Sequence, residues 1–160
     1  VAAASGKAKV LDADVHNLLD AGRSDTGGHR DNWVLTPHPG EAARLLGCDT
    51  STVQADRFQS VRRLQENYGG VVVLKGNGSL IADSVQVLLS DYGNPGMASG
   101  GMGDVLSGVI GSLLAQRLPA TQAAALGVCL HGVAADTAAE AGQRGLLASD
   151  LAPVMRNLLG

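Results

Sequence analysis

Apolar and polar positions fall into short blocks along this 160-residue chain, and the period of each block predicts an element. Lys9 to Leu11 in "KAKVLDAD" reads as a short strand that ends in two acids, Asp12 and Asp14. "HNLLDAG" offers a helical turn stopped by Gly22, and the polar "RSDTGGHRDN" reads as a surface loop. "WVLTP" is a second short strand. "PGEAARLLG" then starts a helix with Pro39 in its first turn and Gly47 just past its end. Ser51 and Gln54 fit a capping box, and Val53, Phe58, Val61, Leu64 and Tyr68 recur at near-helical spacing up to Gly69 and Gly70. One amphipathic helix is expected there, with Arg57, Arg62, Arg63 and Glu66 mostly on its wet side.

"GVVVLKG" is a continuous β-branched run, the pattern of a strand covered on both faces in a parallel sheet. "SLIAD" and "VQVLLS" follow closely and predict an antiparallel hairpin appended to that sheet. A long helix is expected from Gly101 to Leu118, with Val105, Leu106, Val109, Ile110, Leu113 and Leu114 as its core face. Gly103, Ser107 and Gly111, four apart, strip a second face for close contact. "TQAAALGVCLHGVAADTAAEAG" predicts a buried helix of small residues, and a last helix should run from about Ser149 to Leu158 with Ser149 as its cap. Strands alternating with helices make the class α/β with a mostly parallel sheet, whose ligands bind at the carboxyl ends of strands. "LDAD", "TPHPGE" and "LKGNGS" all fall at such ends.

Composition narrows the picture. Apolar residues are 45% and charged residues 17%, so the chain is globular, and its length suits one domain, 1–160. Aromatics are only 2%, which leaves the core to Leu, Val, Ile and Ala. The 22 glycines are about twice the usual share of roughly 7%, and they gather at the ends of apolar runs, where a backbone can approach a ligand. A net charge of -3 without a basic block argues against nucleic acid as a partner. Cys48 and Cys129 have no metal-ligand spacing and suit a reducing cytoplasm. No apolar run approaches the ~18 residues of a membrane helix, so neither a membrane nor a leader is expected and the location is expected to be cytoplasmic. The chain starts at Val1, which suggests a processed or truncated piece.

The candidate chemistry sits in four stretches. In "SGGMGD", Gly100, Gly101, Met102 and Gly103 let several amides converge at the start of a helix, an anion hole suited to phosphate or to charge developing in phosphoryl transfer. Asp104 at that helix start can accept a proton from a substrate hydroxyl or orient a metal. Close packing and capping would explain the inner small residues alone, but not Gly100, Gly101 and Asp104 together. Lys75, Gly76, Asn77, Gly78 and Ser79 follow a strand and could meet a nucleotide phosphate; read alone they favour a hairpin turn. His38 stands between two prolines on a stiff stem, suited to ligand recognition, while the same residues also make an ordinary strand-to-helix connector. His16, His29 and His131 have no His or Cys partner at metal spacing and read as structural. Of Asp12 and Asp14, alternate residues leaving a strand, one could reach the pocket while the other caps the next turn.

In this order, "VLDADVHNLL", "LTPHPGEAARLLG", "VVVLKGNGS" and "GNPGMASGGMGDVLSGVIGSLLAQ" resemble the ADP-dependent NAD(P)H-hydrate dehydratases of the ribokinase-like superfamily, from about residue 9 onward. That family repairs NADH and NADPH whose nicotinamide ring has been hydrated. The resemblance implies a three-layer αβα fold, with this chain as the C-terminal part of the dehydratase domain and N-terminal elements missing. It implies that a phosphoryl group from ADP is placed on the ring hydroxyl and then eliminated as phosphate, leaving AMP. Carried over, Asp104 would be the base and would contact the hydrated nucleotide. Gly101, Met102 and Gly103 would cradle the phosphate, Lys75 through Ser79 would line the adenine nucleotide site, and His38 would contact the hydrated nicotinamide nucleotide. Mg²⁺ is expected with the nucleotide, a homo-oligomer is expected, and a fused or cooperating NAD(P)H-hydrate epimerase is the expected partner. The family often has threonine where Met102 and Ser79 stand here, and usually an apolar residue in place of His16.

Two other classes compete. A small-molecule kinase of the same superfamily would leave its phosphate on the product, and "TPHPGE" favours the dehydratase over it. A nucleotide-binding or assembly module without turnover is the other, which the shortness of the chain allows.

Overall fold

The computed structural model describes residues 8–12 and 31–160. The helical turn expected at 16–22, most of the following polar loop, Asp14, His16 and His29 lie outside the described residues. In chain order the elements are strands β1 (Lys9–Leu11) and β2 (Trp33–Leu35), helices α1 (Pro39–Leu46), α2 (Thr50–Ala55) and α3 (Arg57–Tyr68), and strands β3 (Val71–Leu74), β4 (Ser79–Ala82) and β5 (Val87–Ser90). A short 3₁₀ turn (Pro95–Met97) precedes helices α4 (Met102–Ala115), α5 (Ala120–Ala139) and α6 (Ala148–Leu159).

The five strands form one sheet in the order β1-β2-β3-β4-β5. Pairings β1–β2 and β2–β3 are parallel, in registers Val10↔Val34 and Leu35↔Val72. Pairings β3–β4 and β4–β5 are antiparallel, which is the appended hairpin. Alternate strand residues feed opposite cores, as the period of two requires. Trp33, Leu35, Val72 and Leu74 pack with Ala42, Leu45, Val53, Val61 and Leu64 of α1 to α3. On the other face Val34, Val71, Val73 and Ile81 pack with Leu106, Ile110, Ala124 and Val128 of α4 and α5. The three-layer αβα arrangement follows. A third cluster, Met102, Ala134, Ala135, Leu146 and Leu151, ties the start of α4 to α5 and α6 and so fixes the glycine-rich turn above it.

Four expectations need correction. The helix expected from the Ser51 box through Tyr68 is two helices. Asp56 (φ -143, ψ 88) leaves the helical region and its carboxylate accepts the Gln59 N–H, starting α3 afresh. Ser51 lies inside α2, whose cap position is Asp49. The five-residue gap from Val53 to Phe58 was the signal, and Phe58 is 53% exposed. Second, Arg57 is half-buried, with its guanidinium on backbone carbonyls of the turn after β3. Third, of the apolar residues expected to face the core on α4 only Leu106 and Ile110 are fully covered, joined by Met102, and α5 buries one face while Leu126 stays 46% exposed. Fourth, α6 begins at Ala148: the Asp150 carboxylate accepts the Leu147 N–H at 2.9 Å, and Ser149 lies within the helix.

The break at Asp56 makes a stability prediction. Leu64→Ala, at a site with no exposure, should cost about 2–5 kcal/mol in chemical denaturation. Phe58→Ala, on the same helix but outside the core, should stay within about 0.5 kcal/mol. Equal losses would place Phe58 in the core after all.

Candidate active site

Three parallel strands deliver their last residues to one place. Asp12 follows β1, the segment Thr36-Pro37-His38 follows β2, and Lys75 follows β3, its N–H donating to the Pro37 carbonyl at 2.9 Å. Lys75 Nζ lies 3.0 Å from Asp12 Oδ1 and 3.9 Å from Glu41 Oε2. The Ser107 hydroxyl of α4 donates to the other Asp12 oxygen at 2.9 Å. Gly103 passes directly beside this group: a Cβ on it would stand 3.3 Å from Lys75 Nζ and 3.4 Å from Asp12 Oδ2. The stripped face of Gly103, Ser107 and Gly111 therefore lies against the end of β1 and the Lys75–Asp12 pair, and Val10 is the nearest neighbour of Gly111.

His38 is the N-cap of α1. Its Nδ1 accepts from the N–H groups of Gly40 (3.0 Å) and Glu41 (3.2 Å), so a neutral ring carries its proton on Nε2, 3.4 Å from Glu41 Oε1. Glu41, only 1% exposed, reaches back with Oε2 to accept the His38 N–H at 2.6 Å. The capping box locks the imidazole against its own helix, yet 54% of the side chain remains exposed beside the Lys75 cluster.

On the other side of Lys75 and Gly103 opens a cavity of about 540 Å³. One wall is the turn Lys75 to Ser79. The loop from Tyr92 to Ala98 lines the cavity as well, together with Met102, Gly103, Leu106 and His131. The loop is fastened to α5 by Asp136, which accepts from the Gly93 N–H and from Asn94 Nδ2, both at 2.9 Å. Asn94 Oδ1 in turn accepts the Gly96 N–H at 3.0 Å. A Cβ on Gly132 would lie 3.0 Å from the Tyr92 backbone, so loop and helix are in close contact.

The Gly101 to Asp104 turn completes the site. Gly101 takes the left-handed φ of 86° that an L side chain resists, and Val105 makes the first helical bond, to the Gly101 carbonyl. The amides of Met102, Gly103 and Asp104 thus lack intrahelical partners and stand at the positive end of the α4 dipole. Asp104 is exposed in that first turn. Met102 and Gly103 line the cavity, whereas Gly101, Asp104 and His38 lie outside it. The five residues of the 75–79 turn and the start of α4 are therefore brought together, with His38 on the far side of the Lys75 cluster.

The sequence gives no site role to Ser107, Glu41, Arg57 or Asp136, and no definite one to Asp12. Two signals were present: Asp12 closes a strand, and Ser107 shares the face of Gly103. Among the described residues no group of three or more His, Cys, Asp or Glu could hold a metal by itself. Mg²⁺ commonly uses one or two carboxylates together with substrate phosphates, but Asp12 and Glu41 do not offer an open pair: Asp12 is engaged by Lys75 and Ser107, and the buried Glu41 by His38. Both cysteines are free, and no described helix is long and apolar enough to cross a membrane.

His131, which lines the cavity, gives a pH prediction. Burial holds its pKa below the usual imidazole range, against a weaker opposite pull from a hydrogen bond to the Met102 backbone. The unfolded chain binds a proton near pH ~6.5 and the folded one only further down, so stability should fall as pH drops below about 6.5. Thermal melts between pH 7.5 and 5.5 should show that slope, and His131→Gln should flatten it; an unchanged slope would assign it to other groups.

A family model described as NAD(P)H-hydrate dehydratase matches residues 2–157. The chain is similar to a bifunctional NAD(P)H-hydrate repair enzyme of Coxiella burnetii, 57% identical over 153 residues that cover 94% of this chain and 30% of that protein. It is also similar to an ADP-dependent (S)-NAD(P)H-hydrate dehydratase of Neisseria meningitidis, 47% identical, covering 94% of this chain and 52% of the relative. The chain thus spans between about a third and half of the length of these relatives. Among solved structures, the Bacillus subtilis ADP/ATP-dependent NAD(P)H-hydrate dehydratase co-crystallised with ATP and Mg²⁺ superposes with a TM-score of 0.79 at 29% identity, over 94% of this chain and 54% of that one. The fold is ribokinase-like.

Proposed function

The chain belongs to the NAD(P)H-hydrate dehydratase family, and from that premise we propose that it serves nucleotide repair: ADP-dependent dehydration of hydrated NADH or NADPH, releasing AMP and phosphate. One observation carries the reading. The turn 75–79 and the amide end of α4 converge on a single cavity sized for a nucleotide, with Lys75 at its edge and Asp104 immediately beyond.

In this reading the adenine nucleotide lies between the 75–79 turn and the 92–98 loop, with its phosphates toward Lys75 and the amides of Gly101 to Gly103. The hydrated nicotinamide lies on the strand-end surface near His38. Asp104 takes the proton of the ring hydroxyl as its oxygen attacks the terminal phosphorus of ADP, and the bond to AMP breaks. Charge on the transferring group meets the free amides and the helix dipole, the electrostatic stabilisation that dominates such transfers. Loss of phosphate from the ring, together with a ring proton, restores the double bond. Mg²⁺ would come in on the nucleotide phosphates and neutralise part of their charge. Fusion to, or cooperation with, an epimerase of the hydrated nucleotides fits the bifunctional relatives, and a homo-oligomer in a cytoplasmic setting is part of the same proposal.

The test is to mix hydrated NADH, ADP and Mg²⁺ with the protein. Reduced-nicotinamide absorbance should recover with one AMP and one phosphate per NADH formed. A stable phosphate ester in place of free phosphate would make the protein a kinase. ADP binding without any product would make it a binding module.

A further inference from the structure

The turn between β3 and β4 has the composition of an ordinary hairpin connection, yet one side chain from the far side of the sheet organises it. Arg57, the first residue of α3, donates through Nη2 to the carbonyls of Leu74 (3.2 Å) and Lys75 (3.4 Å), and through Nη1 to the carbonyl of Asn77. Its buried Nε has no partner among the described residues, so the two Nη groups alone set its orientation. Gly76 lies directly against the guanidinium: a Cβ there would be 2.9 Å from Nη2, and its φ of 146° is one that side chains rarely adopt.

The consequence comes from peptide geometry. No peptide bond in the described chain is cis, and in a trans peptide the C=O and the following N–H point in opposite directions. Holding the Lys75 carbonyl turns the Gly76 N–H away from Arg57, and holding the Asn77 carbonyl does the same for the Gly78 N–H. Gly76, Asn77 and Gly78 line the cavity. The guanidinium charge also polarises both peptide groups, making the outward amides better donors to an anion.

We infer that Arg57 is a positioning residue for the nucleotide: by gripping the Leu74, Lys75 and Asn77 carbonyls it aims the Gly76 and Gly78 amides at phosphate oxygens of a ligand it never touches. The inference rests on the reading of the 75–79 turn as part of the adenine nucleotide site. It also explains a feature that hairpin chemistry does not, namely why a half-buried arginine is directed at a turn instead of an acid.

The test is ADP binding by calorimetry to the intact protein and its Arg57→Gln and Arg57→Lys variants, with amide NMR shifts of Gly76 and Gly78 followed in parallel. Arg57→Gln should bind ADP about 10- to 100-fold more weakly, the scale of one or two charge-assisted hydrogen bonds. Affinity for hydrated NADH should be unchanged, and millimolar guanidinium should restore part of the ADP affinity. Arg57→Lys, a point charge that serves fewer carbonyls at once, should lose less than Arg57→Gln, and it decides the matter if the Gln variant does not fold. Wild-type ADP affinity in either folded variant would overturn the inference, as would equal loss for both ligands without guanidinium rescue. If ADP leaves the Gly76 and Gly78 amides of the unaltered protein unshifted, the site reading itself fails, which separates the two.

Discussion

Asp104→Asn is expected to lower turnover by about 10²- to 10⁴-fold while ADP binding and fold are retained, because the change removes a proton acceptor and almost nothing else. The side chain is exposed in the first turn of α4, outside the three packed clusters, so an isosteric amide disturbs no packing. Losing a negative charge at a helix N-terminus costs roughly 0.3–1 kcal/mol of stability, far too little to unfold the protein. The Met102 and Gly103 amides that would meet the phosphate belong to the backbone and remain in place. Two readouts must therefore separate: AMP release collapses while ADP calorimetry stays near the unaltered value. An Asn variant that turns over normally would remove Asp104 from the role of base, and one that loses ADP binding in parallel would make it a ligand-holding residue.

What the sequence made legible was whatever a local pattern can encode. The unbroken apolar run at 71–74 announced a strand covered on both faces, and Pro39 with Gly47 marked the two ends of α1 to the residue. The glycines around 101–103 announced a helix start with free amides. What stayed hidden depends on residues far apart in the chain. Lys75 and Asp12 are 63 residues apart and Ser107 and Asp12 are 95 apart, so only the fold shows that one carboxylate holds both. Arg57 read as a solvated helix residue because its carbonyl partners belong to another element, and carbonyls have no side-chain signature. The break at Asp56 is local, yet the five-residue gap from Val53 to Phe58 is close enough to helical spacing to mask it, although the aspartate that caps α3 stands inside the gap. His38 stands out in the sequence for its stiff stem between two prolines, whereas the capping role of its Nδ1 shows only in backbone positions.

Lys75→Met should produce two losses, and a second substitution should separate them. Lys75 is only 21% exposed and stands between Asp12, itself 23% exposed, and the buried Glu41. Taking the cation away leaves two carboxylates near one another in a poorly solvated place, at an expected cost of about 1–3 kcal/mol in denaturation. It also removes the charge at the edge of the cavity, so ADP should bind about 10- to 100-fold more weakly, on the scale of a lost charge-assisted contact. Adding Asp12→Asn to the Met variant relieves the repulsion, and Ser107 can still hydrogen-bond the amide oxygen. Stability should then return most of the way while ADP affinity stays low, a non-additive result in one readout and not in the other. If affinity recovers along with stability, Lys75 acts on the nucleotide only by keeping the strand ends together. If neither recovers, the Asp12–Lys75 pair is not what the cluster depends on, and Glu41 becomes the carboxylate to test.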